Sequence, residues 1–186
     1  MLTEPSSTKI WPIDRVLARV AERPDALATL RRGVGRDLEE SPASWPYVME
    51  VAGDGRWRED AAHVVLGLFA LHHQAQIPGS MNRPGLGLGS ACRQLKHSRA
   101  SRGTSAEGVE RRFKAALAAE TPDALSVHLR GLVTLLRGAG VGLDYPRLYW
   151  DLCRWQFPAE RGQVCLRWGR EYFRTLSNSD SEEMTP

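Results

Sequence analysis

The sequence predicts an all-α protein with two small helical bundle-like halves joined by a polar loop. Apolar residues recur at the spacing of an amphipathic helix along nearly the whole chain of 186 residues. Proline and glycine stand where helices would begin and end, and no run of alternating β-branched residues indicates a strand. With 42% apolar residues, the chain is long enough to bury a hydrophobic core.

The first half, residues 1–97, contains a series of predicted helices. An apolar stripe marks the first of them, formed by Ile13, Val16, Leu17 and Val20. Start and stop signals bound the next two, at Asp25 and Gly33 and at Ser41-Pro42 and Gly53. A further helix runs from about Trp57 to Gln74, and Pro78 terminates it. This helix carries the densest run of apolar residues, so we expect it to be the most buried helix.

Two polar segments divide the chain. The strongest break is the proline- and glycine-rich stretch 77–89, which is either a domain boundary or a functional loop. A second gap, residues 98–108, is predicted to be the linker between the two halves. Residues 109–176 then form the C-terminal helical bundle, and residues 177–186 a disordered acidic tail.

The helix from Leu125 to Arg137 shows how core and surface are sorted in the second half. At about 100° per residue, the leucines at 125, 129, 132 and 136 fall within roughly 60° of one another. Arg130 and Arg137 lie roughly 120 to 140° from Leu125, which predicts that they face outward. Thr121-Pro122 supplies the start signal of this helix. The next apolar stripe and the aromatic residues that cover it are Leu148, Leu152, Trp155, Trp168, Tyr172 and Phe173.

The charge balance permits binding to a polyanion. The chain has a formal net charge of +3 and a pI near 9.0. The segment after Leu176 carries three carboxylates and no basic residue, so the rest of the chain has a net charge of +6. A basic excess of this size allows contact with nucleic acid but does not by itself establish it.

Basic residues are concentrated between Arg83 and Arg112, where seven stand against two acidic ones. Arg93 and Lys96 are three apart on a predicted helix and share a face. Arg99 and Arg102 fall in a flexible segment that could wrap a nucleic-acid backbone. A further cluster in the first half consists of Arg31, Arg32 and Arg36. The alternative to a binding surface is an ordinary solvated helix face.

No catalytic or metal-binding constellation accompanies these residues. The segment Gly85-Leu86-Gly87-Leu88-Gly89 lacks the lysine and the preceding strand of a phosphate-binding loop. His63, His72 and His73 do not form the H-E-x-x-H motif of a zinc-binding helix. We expect Asp144 to cap a helix, and Asp151 to pair with Arg147 or Arg154. The sequence therefore predicts a protein that is not an enzyme and that needs no metal or cofactor.

The cysteines and the hydropathy pattern predict a cytoplasmic protein. Cys92, Cys153 and Cys165 are odd in number and widely separated, which fits neither a disulfide framework nor a zinc site. The longest apolar stretch, residues 64–71, is far shorter than the roughly 20 residues that a membrane span requires. We therefore expect a protein without a membrane segment or a processed leader.

Several motifs, in order and spacing, resemble one known family. They are Leu30-Arg31-Arg32-Gly33, Leu68-Phe69-Ala70-Leu71-His72, Leu88-Gly89 before Arg93-Gln94-Leu95, Val109-Glu110-Arg111-Arg112-Phe113, His128-Leu129-Arg130-Gly131-Leu132-Val133 with Leu135-Leu136-Arg137, and Asp144-Tyr145 with Leu148, Asp151-Leu152 and Trp155. The ordered set, from Leu30 to Phe173, resembles CasB, the small subunit of the Cascade CRISPR surveillance complex.

The resemblance implies a non-catalytic, all-helical subunit of an RNA-guided antiviral complex. Its partners would be the crRNA, the target DNA, other Cascade subunits and a second copy of itself. In such a complex the target sequence is recognised by base pairing with the guide RNA, and the small subunit stabilises the R-loop through phosphate contacts. The family motifs make Arg31, Arg32, Arg111, Arg112, Arg130 and Arg137 candidates for nucleic-acid binding. Charge alone adds Arg93, Lys96, Arg99 and Arg102. The alternative function is a helical protein-protein adaptor without nucleic-acid contact.

Overall fold

The predicted all-α architecture is confirmed. A computed structural model describes residues 11–73 and 81–174, and within these ranges the chain forms nine α-helices and one short 3-10 helix. The helices are α1 (Pro12–Ala21), α2 (Pro24–Arg32), α3 (Trp45–Ala52, preceded by the 3-10 helix Pro42–Ser44), α4 (Arg56–His72), α5 (Leu88–Ser101), α6 (Glu107–Leu117), α7 (Pro122–Ala139), α8 (Tyr145–Trp155) and α9 (Pro158–Phe173). Within the described ranges, β-type pairing is limited to an isolated bridge between Asn82 and Leu143.

Local signals set the ends of the helices. Thr121 caps α7, because its hydroxyl oxygen accepts a hydrogen bond from the Ala124 amide at 3.2 Å. Asp144 caps α8 in the same way, with its carboxylate accepting from the Arg147 amide at 2.9 Å. At the other end, α7 stops at Gly140, whose φ of +67° is a left-handed conformation that glycine adopts without strain.

Helix α4 lies at the centre of the molecule. It contacts α2 and α3 from the first half and α7 and α8 from the second. Its buried residues include Val65, Leu66 and Phe69, in agreement with the prediction that this helix is the most deeply buried. The predicted leucine stripe of α7 is also buried at every position. A single continuous cluster of apolar side chains therefore runs through both halves of the chain.

Helix α5 packs with the second half rather than the first. It contacts α9 most extensively and also touches α6 and α7. The close approach to α9 depends on Gly89, since a Cβ atom there would overlap the carbonyl oxygen of Trp168. The predicted linker, residues 98–108, thus begins inside α5, and the first half as predicted, residues 1–97, includes a helix whose partners lie beyond that linker. The glycine contact is long-range, and sequence periodicity does not reveal it.

The glycine-rich segment before α5 is bonded to the segment before α8. The Arg83 amide donates to the Leu143 carbonyl at 3.0 Å, and the Leu143 amide donates to the Met81 carbonyl at 3.0 Å. The amide of Gly85 donates to the Asp144 carboxylate at 2.7 Å. The side chain of Leu88 is buried. This part of the predicted break is therefore an ordered segment that is hydrogen-bonded to the residues before α8. Residues 74–80 and the predicted tail, residues 177–186, lie outside the described residues.

A partly buried ion pair joins α8 to α9. Asp151 pairs with Arg167, and its other carboxylate oxygen accepts a hydrogen bond from Trp168 Nε1 at 2.6 Å. The predicted partners, Arg147 and Arg154, were wrong; Arg147 pairs with Glu171 instead. Helical spacing identifies only neighbours three or four residues away, whereas Arg167 reaches Asp151 from another helix. Burial raises the pKa of Asp151 to about 6, although the charge of Arg167 opposes that shift.

The polar contacts of His72 link α4 to α8. Its Nδ1 lies 2.8 Å from the hydroxyl oxygen of Tyr145, and both side chains are buried. Burial lowers the pKa of His72 to about 4. The histidine is therefore a neutral, packed residue.

The described helices include no segment with the length and hydropathy that a membrane span requires.

Candidate nucleic-acid interface

Helices α5 and α6 present a basic surface on either side of the loop that joins them. Of the predicted residues on α5, Arg93 donates to the Arg174 carbonyl at 3.1 Å, and Arg99 donates through Nε to the Ser105 carbonyl at 3.2 Å. Both side chains are half-buried. These arginines thus hold the end of α9 and the α5–α6 loop, which leaves part of each guanidinium for an external anion.

Lys96 is the centre of a charged bridge between the two helices. Its ammonium nitrogen lies 2.7 Å from Glu110 Oε2, and Lys114 lies 2.8 Å from Oε1 of the same carboxylate. Lys96 also lies over the ring of Tyr172, 5.4 Å from the ring centre. The two ammonium groups lower the pKa of Glu110 to about 2, so the carboxylate is ionised at neutral pH.

An open cavity of about 890 Å³ faces solvent between the end of α5 and the first turns of α6. We call it the α5–α6 cavity; it is lined by Lys96, Gly103, Thr104, Ser105, Ala106, Glu107, Glu110, Arg111 and Lys114. Arg111 is exposed, as is Arg102 at the end of α5, and neither side chain has a hydrogen bond or ion pair with any residue that the structure describes. Both guanidinium groups can bind an anion without breaking an existing contact.

Arg112 faces away from this cavity and lies over α7. A Cβ atom added at Gly131 would lie 3.2 Å from Cδ and Nε of Arg112, so the absence of a side chain at 131 lets the arginine cross the helix. Arg130, the neighbour of Gly131, is exposed and extends to the loop after α2, where a Cβ atom at Gly35 would lie 2.8 Å from its Nη1. Arg112, Arg130 and the loop around Gly35 thus follow one another across the surface; we call them the α7 arginine row.

Arg137 does not join the α7 arginine row. It is half-buried, and its Nη1 donates to the Leu71 carbonyl at 3.1 Å. The prediction that Arg137 faces solvent was wrong, because the end of α4 packs against the side of α7 that carries Arg137. The guanidinium satisfies a carbonyl at the last turn of α4 that would otherwise lack a partner within the helix.

The N-terminal candidates lie on α2. Arg32 is exposed and donates to the Thr29 hydroxyl at 3.2 Å, while Arg31 is half-buried. Neither lines the groove of about 820 Å³ into which Arg130 extends. That groove is lined by Arg36, Arg56 and Arg130 together with acidic residues, and Arg56 is neutralised by Glu39 at 2.6 Å and Asp60 at 2.9 Å.

Three basic residues at these surfaces were not among the predicted binding residues, and one of them, Arg56, is already paired with Glu39 and Asp60. Lys114 lines the α5–α6 cavity, and its spacing of four from Glu110 was the available signal. Arg36 lines the groove beside Arg130, and its place in a cluster with Arg31 and Arg32 was the corresponding signal. The sequence shows that these residues are basic, but it does not show which of them share a surface.

The remaining residues considered for chemistry are packed in the fold. His63 lies 3.0 Å through Nε2 from the Arg36 carbonyl oxygen and 3.3 Å through Nδ1 from the Ser44 hydroxyl oxygen. Cys92 is buried, which raises the pKa of its thiol well above the ordinary value. Within residues 11–73 and 81–174, no group of three or more histidine, cysteine, aspartate or glutamate side chains is placed to hold a metal ion.

Comparison with known proteins establishes the family. Residues 26–173 match the family model of the CRISPR-associated protein Cse2. The chain belongs to the Cse2 family. The matched range runs from α2 to the end of α9 and contains all ten predicted binding residues. The resemblance to CasB is thereby confirmed, since solved structures named CasB are similar to this chain in fold and in sequence.

Individual members of the Cse2 family resemble this chain over most of its length. A Cse2 protein from Thermus thermophilus is 31% identical over 161 residues, which are 85% of this chain and 84% of that protein. The crystal structure of CasB from Thermobifida fusca is 30% identical with a TM-score of 0.69, and the match covers 87% of this chain and 96% of that one. A chain of a CRISPR RNA-guided surveillance complex is 27% identical with a TM-score of 0.67, and the match covers 92% and 94% of the two chains.

Proposed function

We propose that this chain is a non-catalytic subunit of an RNA-guided CRISPR surveillance complex in the cytoplasm. Within the complex it contacts the phosphate backbones of the guide RNA, the target DNA and the displaced strand, and thereby stabilises the R-loop. Its protein partners are the other Cascade subunits and a second copy of itself. The observation that carries this proposal is the likeness, over 92% of this chain, to a chain of a CRISPR RNA-guided surveillance complex.

Exposed arginines support the nucleic-acid part of the proposal. Arg102 and Arg111 at the α5–α6 edge, and Arg112 and Arg130 in the α7 arginine row, all present their guanidinium groups to solvent. Arginine binds phosphate oxygens in a bidentate manner, and backbone contacts of this kind require no sequence-specific groups. In an RNA-guided complex sequence is recognised by base pairing, so a basic surface of suitable shape is sufficient for this subunit.

An adaptor function has its own support in exposed apolar side chains. Val127 on α7 is 57% exposed and Phe173 at the end of α9 is 54% exposed. Large apolar side chains at a surface are common at protein-protein contacts. The candidate residues for subunit contacts differ from those for nucleic-acid contacts, so the two functions can be separated by experiment.

The salt dependence of oligonucleotide binding tests the proposed function. We expect the isolated protein to bind a labelled single strand without sequence preference, with Kd on the order of 10⁻⁴ to 10⁻⁶ M at physiological salt. Fluorescence anisotropy should show log K falling linearly with log salt concentration, because each phosphate contact releases counterions. Absence of binding, or binding that is unchanged between low and high salt, would instead support the adaptor.

A pair of charge reversals locates the binding surface. Arg130→Glu should weaken binding and flatten the salt slope by about one unit for each phosphate that the variant no longer neutralises. Arg15→Glu is the matched control, since Arg15 is also exposed but lies on α1, a helix that carries none of the candidate residues. Equal weakening by both variants would show that only net charge matters. In a reconstituted complex, Arg130→Glu should assemble normally and shorten the lifetime of the R-loop.

A further inference from the structure

Glu110 holds two ammonium groups that come from different helices. Lys96 reaches it from α5, and Lys114 reaches it from the next turn of α6, each to a separate carboxylate oxygen. All three side chains line the α5–α6 cavity and remain partly exposed. The cavity also contains Arg111, which has no ion pair with any described residue. An acidic side chain thus occupies the middle of a basic concavity.

The geometry around Glu110 is that of an anion site whose anion belongs to the protein itself. Two charged donors approach two oxygens of one anionic group at 2.7 and 2.8 Å, the separation expected for charge-assisted hydrogen bonds. A nucleic-acid phosphate also presents two anionic oxygens on one centre. We propose that the Glu110 carboxylate occupies the position of a backbone phosphate in the α5–α6 cavity and thereby weakens the binding of a phosphodiester chain there. This inference rests on the proposed nucleic-acid function.

The ion pairs are weak enough for a phosphate to replace them. The Lys96 and Lys114 side chains are 38% and 59% exposed, and exposed pairs of this kind contribute little to stability. The cavity lining has three basic and two acidic residues, so its net charge is +1 with Glu110 ionised and +2 without it. Glu110 consequently sets the number of free ammonium groups that the cavity can offer to a bound strand.

Glu107 provides a matched control for Glu110. It lines the same cavity on the same helix, it carries the same charge, and it has no ion pair with any residue that the structure describes. Glu110→Gln and Glu107→Gln change the net charge of the protein equally, but only the first frees Lys96 and Lys114. A difference between the two variants therefore reports the local competition and not the overall charge.

The experiment measures the binding of a labelled single-stranded oligonucleotide by fluorescence anisotropy over a series of salt concentrations. Glu110→Gln should bind about fivefold more tightly than Glu107→Gln at low salt, which is the effect of one unit charge about 4 Å from a phosphate in water. Its salt slope should be steeper by about one to two units, because the freed lysines can contact phosphates. Circular dichroism and thermal melting check that both variants are folded.

Each outcome decides between the inference and the proposed function. Salt-dependent binding by the natural protein, with equal affinities for the two glutamine variants, would overturn the role of Glu110 and leave the proposed function intact. No binding by the natural protein or by either folded variant would overturn both. Adding Lys96→Gln and Lys114→Gln to Glu110→Gln should remove the gain in affinity; a gain that persists would show that Glu110 acts through other groups and would also overturn the inference.

Discussion

The guanidinium of Arg137 donates a hydrogen bond to the backbone carbonyl of Leu71, 3.1 Å away, and so joins α7 to the end of α4. Arg130, two turns earlier on α7, is exposed and belongs to the α7 arginine row. Two arginines with the same predicted orientation therefore differ in what they contact. One contributes to the packing of helices, and the other is available to an external ligand.

Arg137→Ala is expected to lower the free energy of unfolding by about 1.5 to 3 kcal/mol, the usual range for a hydrogen bond to a charged group. Arg130→Ala is expected to change it by less than about 0.5 kcal/mol, as is typical of exposed positions. Urea denaturation followed by circular dichroism measures both values. Equal stability of the two variants would show that the contact with Leu71 contributes nothing to folding.

Asp151→Ala is expected to cost about 2 to 3 kcal/mol, because it leaves the buried Trp168 Nε1 without its acceptor and removes the partner of the partly buried Arg167. Asp151→Asn retains an acceptor for Trp168 and should cost less. The double variant Asp151→Leu with Arg167→Met should recover much of the loss, since apolar residues of similar volume can replace a buried pair. Denaturant unfolding of all three variants separates the contribution of the ion pair from that of packing. An Asp151→Ala protein as stable as the natural one would contradict the stabilising role of Asp151.

Gly89→Ala is expected to destabilise the protein by more than about 2 kcal/mol, because the added Cβ would overlap the Trp168 carbonyl and force α5 away from α9. Gly169→Ala is the control: it lies within α9, a Cβ atom added there would meet no atom within 4 Å, and alanine should stabilise the helix by about 0.5 to 1 kcal/mol. The two melting temperatures should move in opposite directions. A shift of the same sign in both would contradict the close approach.

His72 is expected to make stability fall as the pH is lowered. Its pKa is about 4 in the folded protein and near 6.5 when unfolded, so between these values the unfolded chain binds a proton that the folded protein does not. The loss should reach about 3 kcal/mol between pH 6.5 and pH 4. Asp151, with its raised pKa, acts in the opposite direction over part of this range. The comparison of interest is therefore the stability difference between the natural protein and His72→Gln, which should shrink on acidification.

The sequence by itself determined the helices, several of their ends and the family. The leucine stripe of α7 and the caps Thr121 and Asp144 are all where the pattern predicts them. Periodicity and capping depend on residues within about four positions of one another, and such local relationships can be read directly from the chain. The ordered motifs indicated the family for the same reason, since they too are defined by order and spacing.

Tertiary structure decided which cations share a surface. Arg111 and Arg112 are adjacent in sequence, but they point about 100° apart on α6. Arg111 therefore faces the α5–α6 cavity, whereas Arg112 crosses α7 at Gly131. The partners of Asp151 and Arg137 likewise come from other helices. These contacts depend on how whole helices pack, and packing is set by interactions between residues far apart in the chain, which no local pattern specifies.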